Sequence, residues 1–238
     1  MLRGISVLIF HFLLLPISRA TPQQHQSNHA LIINSSRYWF NYRHAANALT
    51  IYQLLKDNGF KDENIILMIA DEYAVNPRNV FANRILTAGK AGRSLYDEKT
   101  EIDYRGDDVT VQNMVNALTG RQDTGLPVLN SDENSQLLIY WTGHGGDQFF
   151  KFQDVEEIMS HHLAAVFRYM HEAKRYREIL FVADTCQAFT LGDKLDAPNV
   201  TVIGSSLRDE SSYAHHSDND IGLSVIERYT YRHWTVGN

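Results

Sequence analysis

Cysteine is nearly absent. The chain of 238 residues holds one, Cys186, so no disulfide can form within it. A basic surplus is missing too. Lys and Arg number 22 against 28 Asp and Glu, a formal net charge of −6, which speaks against a nucleic-acid partner. Beyond the first twenty residues no eighteen consecutive apolar residues occur, so the sequence predicts no membrane-spanning helix there. There is no internal repeat and no low-complexity tract. What remains is an ordinary globular composition, 44% hydrophobic and 21% charged, at a length that suits one domain.

The start of the chain is different. Met1-Leu2-Arg3 is short and positive, and Ile5 to Pro16 is a mostly apolar stretch of about a dozen residues. Ser18-Arg19-Ala20 places small residues where a signal peptidase reads them. The expectation is a signal peptide over 1–20, cleaved after Ala20, and a folded domain over 21–238. Such a leader implies the oxidising secretory lumen. A lone thiol there is buried and inert, tethered to another chain, or catalytic.

The body of the chain alternates strands and helices. His29–Asn34, Asn64–Ala70, Gln136–Thr142, Glu178–Ala183 and Val200–Ser205 read as strands, apolar at successive positions rather than at every second one. Helical spacing begins at His44, runs through Ala45, Ala48, Leu49, Tyr52 and Leu55, and closes at Asn58-Gly59. Thr110–Leu118 reads as a helix with Asp107 or Asp108 as its N-cap and Gly120 beyond its end. Phe149 to Asp154 suggests one arm of a small hairpin, and a helix is expected from about Val155 to Ala173. Residues 71–105 read as a long excursion. Apolar strands alternating with helices predict an α/β fold: a three-layer sandwich with a mostly parallel central sheet flanked by helices.

Ligands of such sheets bind beyond the carboxyl ends of the strands. Thr142-Gly143-His144-Gly145-Gly146 follows the third strand and Asp184-Thr185-Cys186-Gln187 follows the fourth. If those strands are neighbours, His144 and Cys186 share one edge. A neutral imidazole can then take the thiol proton and leave the nucleophilic thiolate. The Gly145 and Cys186 N–H groups are candidates for an oxyanion hole. Either residue alone has a bland reading, as a turn histidine or a small buried cysteine. Together, about 42 residues apart in the order His then Cys, they point to a Cys–His acyl-transfer site. Asn41 lies in the aromatic loop after the first strand.

Glu101-Ile102-Asp103 is a second candidate site. Alternation puts both carboxylates on one side of an extended segment, and oxygen donors of this kind suit calcium. Two glycosylation sequons occur. Asn34 ends a buried strand and is a poor acceptor, whereas Asn199 lies in a Pro-containing loop. The pairs His161-His162 and His215-His216 lack further ligands at useful spacing and read as surface residues.

Several stretches together resemble the catalytic subunits of GPI-anchor transamidases, relatives of the legumain and caspase peptidases. They are RYWFNYRHAANALTIY, IILMIADEYAVNPRN, EIDYRGDDVTVQNMVNALTGR, LLIYWTGHGGDQFFKFQDVEEI and ILFVADTCQAF, covering most of the chain from His29 to about Thr230. Legumains share the Tyr-Arg-His stretch and the His-Gly turn, but usually carry Glu-Ala-Cys-Glu-Ser-Gly around the nucleophile, where this chain has Asp-Thr-Cys-Gln.

The resemblance implies a caspase-like fold with Cys186 as nucleophile, His144 as general base and Asn41 supporting the site. It implies a structural calcium held by Asp62 and the Ile65 carbonyl with Glu101 and Asp103, and no cofactor for the chemistry itself. The implied reaction cleaves the C-terminal signal peptide of a proprotein through a thioester and attaches a preformed GPI glycolipid. It implies other transamidase subunits as partners, and a lumenal enzyme at the endoplasmic reticulum membrane. Two departures stand out. The chain ends at Asn238 in YRHWTVGN, where the family continues into a stem and a membrane helix, so a C-terminally truncated catalytic domain is expected. Val75 stands where many relatives have a cysteine that tethers a partner subunit. The alternatives are a soluble legumain-like endopeptidase and a non-catalytic paralogue serving as an assembly module.

Overall fold

The computed structural model describes residues 27–88, 93–123 and 125–235. The expected leader lies outside the described residues. Six strands form one parallel sheet: β1 (Asn28–Asn34), β2 (Ile65–Ile69), β3 (Tyr104–Arg105), β4 (Gln136–Thr142), β8 (Glu178–Asp184) and β9 (Val200–Gly204). Their spatial order is β3-β2-β1-β4-β8-β9, with every pairing parallel. Between β4 and β8 lies a three-stranded antiparallel sheet of β5 (Gly145–Gly146), β6 (Phe149–Phe152) and β7 (Glu156–Met159). A hairpin of β10 (Ala214–Asp218) and β11 (Leu223–Glu227) follows β9.

The apolar runs are explained by what covers the sheet. Alternate side chains of one strand enter different cores. Leu31, Ile33, Leu137, Ile139, Trp141 and Phe181 pack on one face with α2 (Val111–Thr119) and α3 (Ser160–Glu172). Ala30, Ile32, Leu138, Tyr140, Leu180 and Val182 pack on the other with α1 (Tyr42–Asp57) and Val225 of β11. Both faces are covered, so the polar residues of β1, β4 and β8 fall at or next to the strand ends, as His29, Asn34, Gln136, Thr142 and Asp184 do. Each fully buried Leu, Ile or Phe contributes about 1.5–3 kcal/mol relative to exposure. The expected three-layer α/β sandwich is therefore the observed one.

Three local expectations are corrected. The N-cap of α2 is Thr110, not Asp107 or Asp108; its side chain accepts the Asn113 N–H at 3.1 Å. The two aspartates sit in a preceding 3-10 turn. The helix expected from Val155 starts only at Ser160, because Glu156–Met159 pairs antiparallel with Phe149–Phe152 as a strand. The excursion 71–105 ends in β3, which adds the edge strand to the sheet.

The chain order of the strands matters for function. From β1 it moves outward to β2 and β3, then returns to β4 on the opposite side of β1. The sheet thus has its switch point between β1 and β4, where doubly wound sheets open a crevice beyond the strand ends. Asn34, Thr142 and Asp184 close β1, β4 and β8 in register.

Candidate active site

Three loops leave that register line. The loop after β1 turns through a 3-10 segment, Trp39–Asn41, into α1. His144 lies two residues beyond the end of β4, and Cys186 two residues beyond the end of β8, its parallel neighbour. Cys186 is a free, half-buried thiol. Asn41 is buried completely.

Across the switch point, His144 Nε2 lies 2.9 Å from Asn41 Oδ1. The amide orientation is fixed independently: Asn41 Nδ2 donates to the Arg37 carbonyl at 2.6 Å. Oδ1 can only accept, so Nε2 carries the proton and donates. The other ring nitrogen, Nδ1, then holds the lone pair. His144 is held well below the usual histidine range, at about 4, mainly by burial, then by His44 and the Arg43 guanidinium. It is a neutral imidazole at pH 7, the form that can accept a proton.

Glycines let these loops approach. A Cβ on Gly143 would lie 2.2 Å from Ser35 Oγ, and one on Gly145 would lie 2.7 Å from Thr185 Oγ1 and 2.8 Å from the Phe149 carbonyl. The second contact brings the histidine loop against the residue before Cys186. The Lys151 N–H donates to the His144 carbonyl at 2.9 Å. That bond makes Gly145 and Phe150 a non-hydrogen-bonded pair of the antiparallel ladder, so the Gly145 N–H is not spent on β6.

Beneath the site lies a polar network that the sequence alone did not reveal. His44, on α1, packs edge-on against His144 with ring centroids 5.1 Å apart. Its Nδ1 is 2.9 Å from Ser36 Oγ and its Nε2 3.0 Å from Glu227 Oε1. Burial holds His44 neutral, so the second contact is a hydrogen bond rather than an ion pair. Arg43 supplies the charge partner of Glu227, at 3.1 Å. Ser212 Oγ lies 2.8 Å from Glu227 Oε2 and 3.0 Å from Asp184 Oδ1, so its single proton is shared between the two carboxyl groups, and Thr230 donates to Asp184 at 2.6 Å. Burial, then the Glu227 carboxylate, pushes Asp184 up to about 7. Arg43 and His44 follow Asn41 closely in sequence; Glu227 arrives from β11, which no local signal connects to them.

The second candidate site is drawn together only in part. Burial, then Glu101 and Asp62, raise Asp103 to about 6 against the opposing pull of the Leu67 N–H, so the three carboxylates feel one another. Yet both Asp62 oxygens are taken, by the Tyr52 hydroxyl and by Lys56 Nζ, each at 2.6 Å. The Ile65 side chain is buried, leaving only its carbonyl. Among the described residues no group of three or more His, Cys, Asp or Glu is arranged to hold a metal. Asn34 is fully buried and accepts the Ser36 N–H, whereas Asn199 is exposed.

The profile of the peptidase C13 family matches residues 28–233. The chain belongs to the peptidase C13 family. Its relatives include the GPI-anchor transamidase of Saccharomyces cerevisiae, 47% identical over 94% of this chain and 57% of the relative. That of Schizosaccharomyces pombe is 49% identical over 89% and 57%, and that of Homo sapiens 42% identical over 87% and 53%. The chain thus spans little more than half the length of these curated relatives. Among the described residues no helix is long and apolar enough to cross a membrane.

Proposed function

We propose that this peptidase C13 chain is the catalytic part of a GPI-anchor transamidase, with Cys186 as nucleophile and His144 as its base. The observation that carries the reading is the bond from His144 Nε2–H to Asn41 Oδ1, which leaves Nδ1 as the basic atom on a loop beside the one that carries Cys186. Relatives that share this sequence over about nine tenths of the chain bear the transamidase name.

In the proposed reaction His144 Nδ1 takes the Cys186 proton and the sulfur attacks the carbonyl of the attachment residue. The Gly145 and Cys186 N–H groups receive the oxyanion. The C–N bond breaks, His144 returns the proton to the departing amine, and a thioester remains. The amine of a GPI ethanolamine phosphate then attacks. A new C–N bond forms, the C–S bond breaks, and the thiol recovers the proton that the amine sheds. Amide replaces amide, so no oxidant or external energy source is needed. Partner subunits and the membrane surface of the endoplasmic reticulum would hold the acceptor close enough to outcompete water. The proprotein signal, small attachment residues followed by a spacer and an apolar tail, is the substrate class.

For the carboxylates Asp62, Glu101 and Asp103 we propose a structural calcium, with the Ile65 carbonyl as a fourth oxygen. The donor chemistry suits the ion, and Lys56 would have to release Asp62 to admit it. No catalytic step passes through this site.

Complementation tests the main reading. Cells depleted of their own transamidase catalytic subunit should recover a GPI-anchored surface protein when given this chain, alone or with a membrane tail, and Cys186→Ala should abolish the recovery. A well-expressed chain that fails in both forms would move the assignment to a hydrolytic endopeptidase or a non-catalytic assembly module.

A further inference from the structure

Tyr38 holds a backbone conformation that its side chain does not explain. Its φ is 72° and its ψ 145°, a combination that glycine adopts freely and a residue with a Cβ adopts only under strain. The ring does not hold it there: it is 56% exposed and stacks on the exposed Phe40, centroids 5.8 Å apart. Turning over the peptide between Arg37 and Tyr38 would carry φ of Tyr38 back to negative values and relieve the strain. The peptides on either side are tied down. The Ser36 carbonyl accepts the Tyr73 hydroxyl at 2.7 Å, and the Tyr38 carbonyl accepts the Asn41 N–H at 2.9 Å. The strain therefore falls on the single peptide between them.

Two groups hold that peptide in place, one on each side. Its N–H, from Tyr38, donates to Asp71 Oδ2 at 2.6 Å. Its carbonyl, from Arg37, accepts from Asn41 Nδ2 at 2.6 Å. Asp71 lies two residues past the end of β2, the parallel neighbour of β1. The Glu72 N–H donates to its Oδ1 at 2.8 Å and the Tyr73 N–H to its carbonyl at 3.1 Å, so the carboxylate is aimed independently of Tyr38. Hydrogen bonds to a carboxylate are among the stronger ones, and a bond that polarises a peptide strengthens the next bond in line. The line runs from Asp71 through the peptide to the Asn41 amide, and from Asn41 Oδ1 to His144 Nε2 at 2.9 Å. Asn41 itself carries no charge. Asp71 supplies a carboxylate behind it, one peptide and one amide away from the ring.

We propose that Asp71 is a positioning residue of this site: it clamps the 37–38 peptide against the turn that Tyr38 favours, and so holds the Asn41 amide and the His144 ring in place. Its effect on catalysis rests on the Cys186–His144 reading above; its effect on the ring does not.

Peptide-cleavage kinetics and nitrogen NMR of the labelled His144 ring, both on the full chain, test the clamp. Asp71→Ala should lower kcat about tenfold with KM little changed, and should replace the single ring tautomer by an exchanging pair. Asp71→Asn, which keeps one oxygen for the Tyr38 N–H, should fall between the parent and Asp71→Ala. Tyr38→Gly removes the strain, so adding it to Asp71→Ala should restore most of kcat and the single tautomer. Tyr38→Ala loses the ring as glycine does but keeps the Cβ, and should restore neither. In an Asn41→Ala background Asp71→Ala should cost no further activity. These last three separate the clamp from a loss of folding, which glycine would deepen rather than repair. Parent kcat and parent tautomer in Asp71→Ala overturn the proposal. So does equal rescue by alanine and glycine, or a full further loss on top of Asn41→Ala. A parent chain that cleaves no peptide, yet loses its single tautomer in Asp71→Ala, would sink the catalytic reading and leave the clamp standing. A cleaving chain whose kcat and tautomer ignore Asp71 would do the reverse.

Discussion

Asn41 and His144 meet across the switch point of the sheet, 2.9 Å apart, with the Asn41 amide turned by the Arg37 carbonyl so that only its oxygen faces the ring. The asparagine thereby selects the tautomer of His144, the proposed base. Replacing it with alanine removes that selection and leaves the imidazole free to rotate. Asn41→Ala should lower kcat for peptide cleavage about 100-fold, with KM little changed and the folded state retained by melting temperature. Equal loss of kcat and stability would instead make Asn41 a packing residue.

The lowered pKa of His144 sets a pH range. Burial and the neighbouring His44 and Arg43 hold it at about 4, so the imidazole stays unprotonated across the acidic range in which a free histidine would already be charged. Single-turnover peptide cleavage should keep its His144-dependent step down to about pH 5 and fail as pH falls through 4. A limb near 6.5 for that step, the ordinary histidine value, would show that the ring is more solvated than described.

Asp184 gives a stability prediction of opposite sign. Its folded pKa is raised to about 7 by burial and by Glu227. Between the unfolded value and 7 the native state binds more protons than the unfolded one, so this residue's contribution is full at low pH and is lost as pH rises through 7. His44 and His144, both lowered, pull stability the other way below pH 6.5. Asp184→Asn should therefore remove a downward component and make stability rise more steeply with pH from 4 to 7 in urea titrations. An unchanged slope would mean that Asp184 is ionised in the folded chain.

Gly143 tests how tightly the loops pack. A Cβ there would fall 2.2 Å from Ser35 Oγ, and Ser35 is itself engaged, its hydroxyl donating to the Lys151 carbonyl at 2.6 Å. Gly143→Ala should cost about 1–3 kcal/mol, the usual range for overpacking, and should lower activity because His144 is the next residue. Adding Ser35→Gly should restore part of both. Additive losses in the double variant would place the strain elsewhere.

The proposed calcium makes a thermal prediction. Millimolar calcium should raise the melting temperature of the parent chain, and Asp103→Asn should remove that rise. Lys56→Met should enlarge it by freeing Asp62 from its ammonium partner. No shift with any of the three would leave the carboxylates as a simple Lys56-neutralised cluster.

Much of this was legible in the sequence, for identifiable reasons. Gln136–Thr142 was bounded correctly because a strand buried on both faces cannot hide its length, and its end delivers His144. Cys186 stood out because it is the only thiol. Asn41 was found from the residues only as a loop residue, since many loop asparagines merely turn the chain; its supporting role came from the family resemblance, and the geometry adds its contact with His144. The Thr110 cap was obscured by two nearby aspartates that satisfy the same preference. Glu156–Met159 has a helix-like composition and is a strand only because β6 lies beside it. Glu227 could not have been placed near His44, 183 positions away, because β10 is polar and β11 has only five residues, too few to announce where the hairpin packs.

The central claim is that Cys186 forms a thioester that an amine resolves. Intact-mass measurement after mixing the full chain with a signal-type peptide addresses it directly, with hydrazine added in a second sample. The account predicts an acyl adduct on Cys186 that disappears with hydrazine as the peptide hydrazide forms, and neither species with Cys186→Ala. Acid product alone, undiminished by hydrazine and formed without an adduct on Cys186, would contradict it.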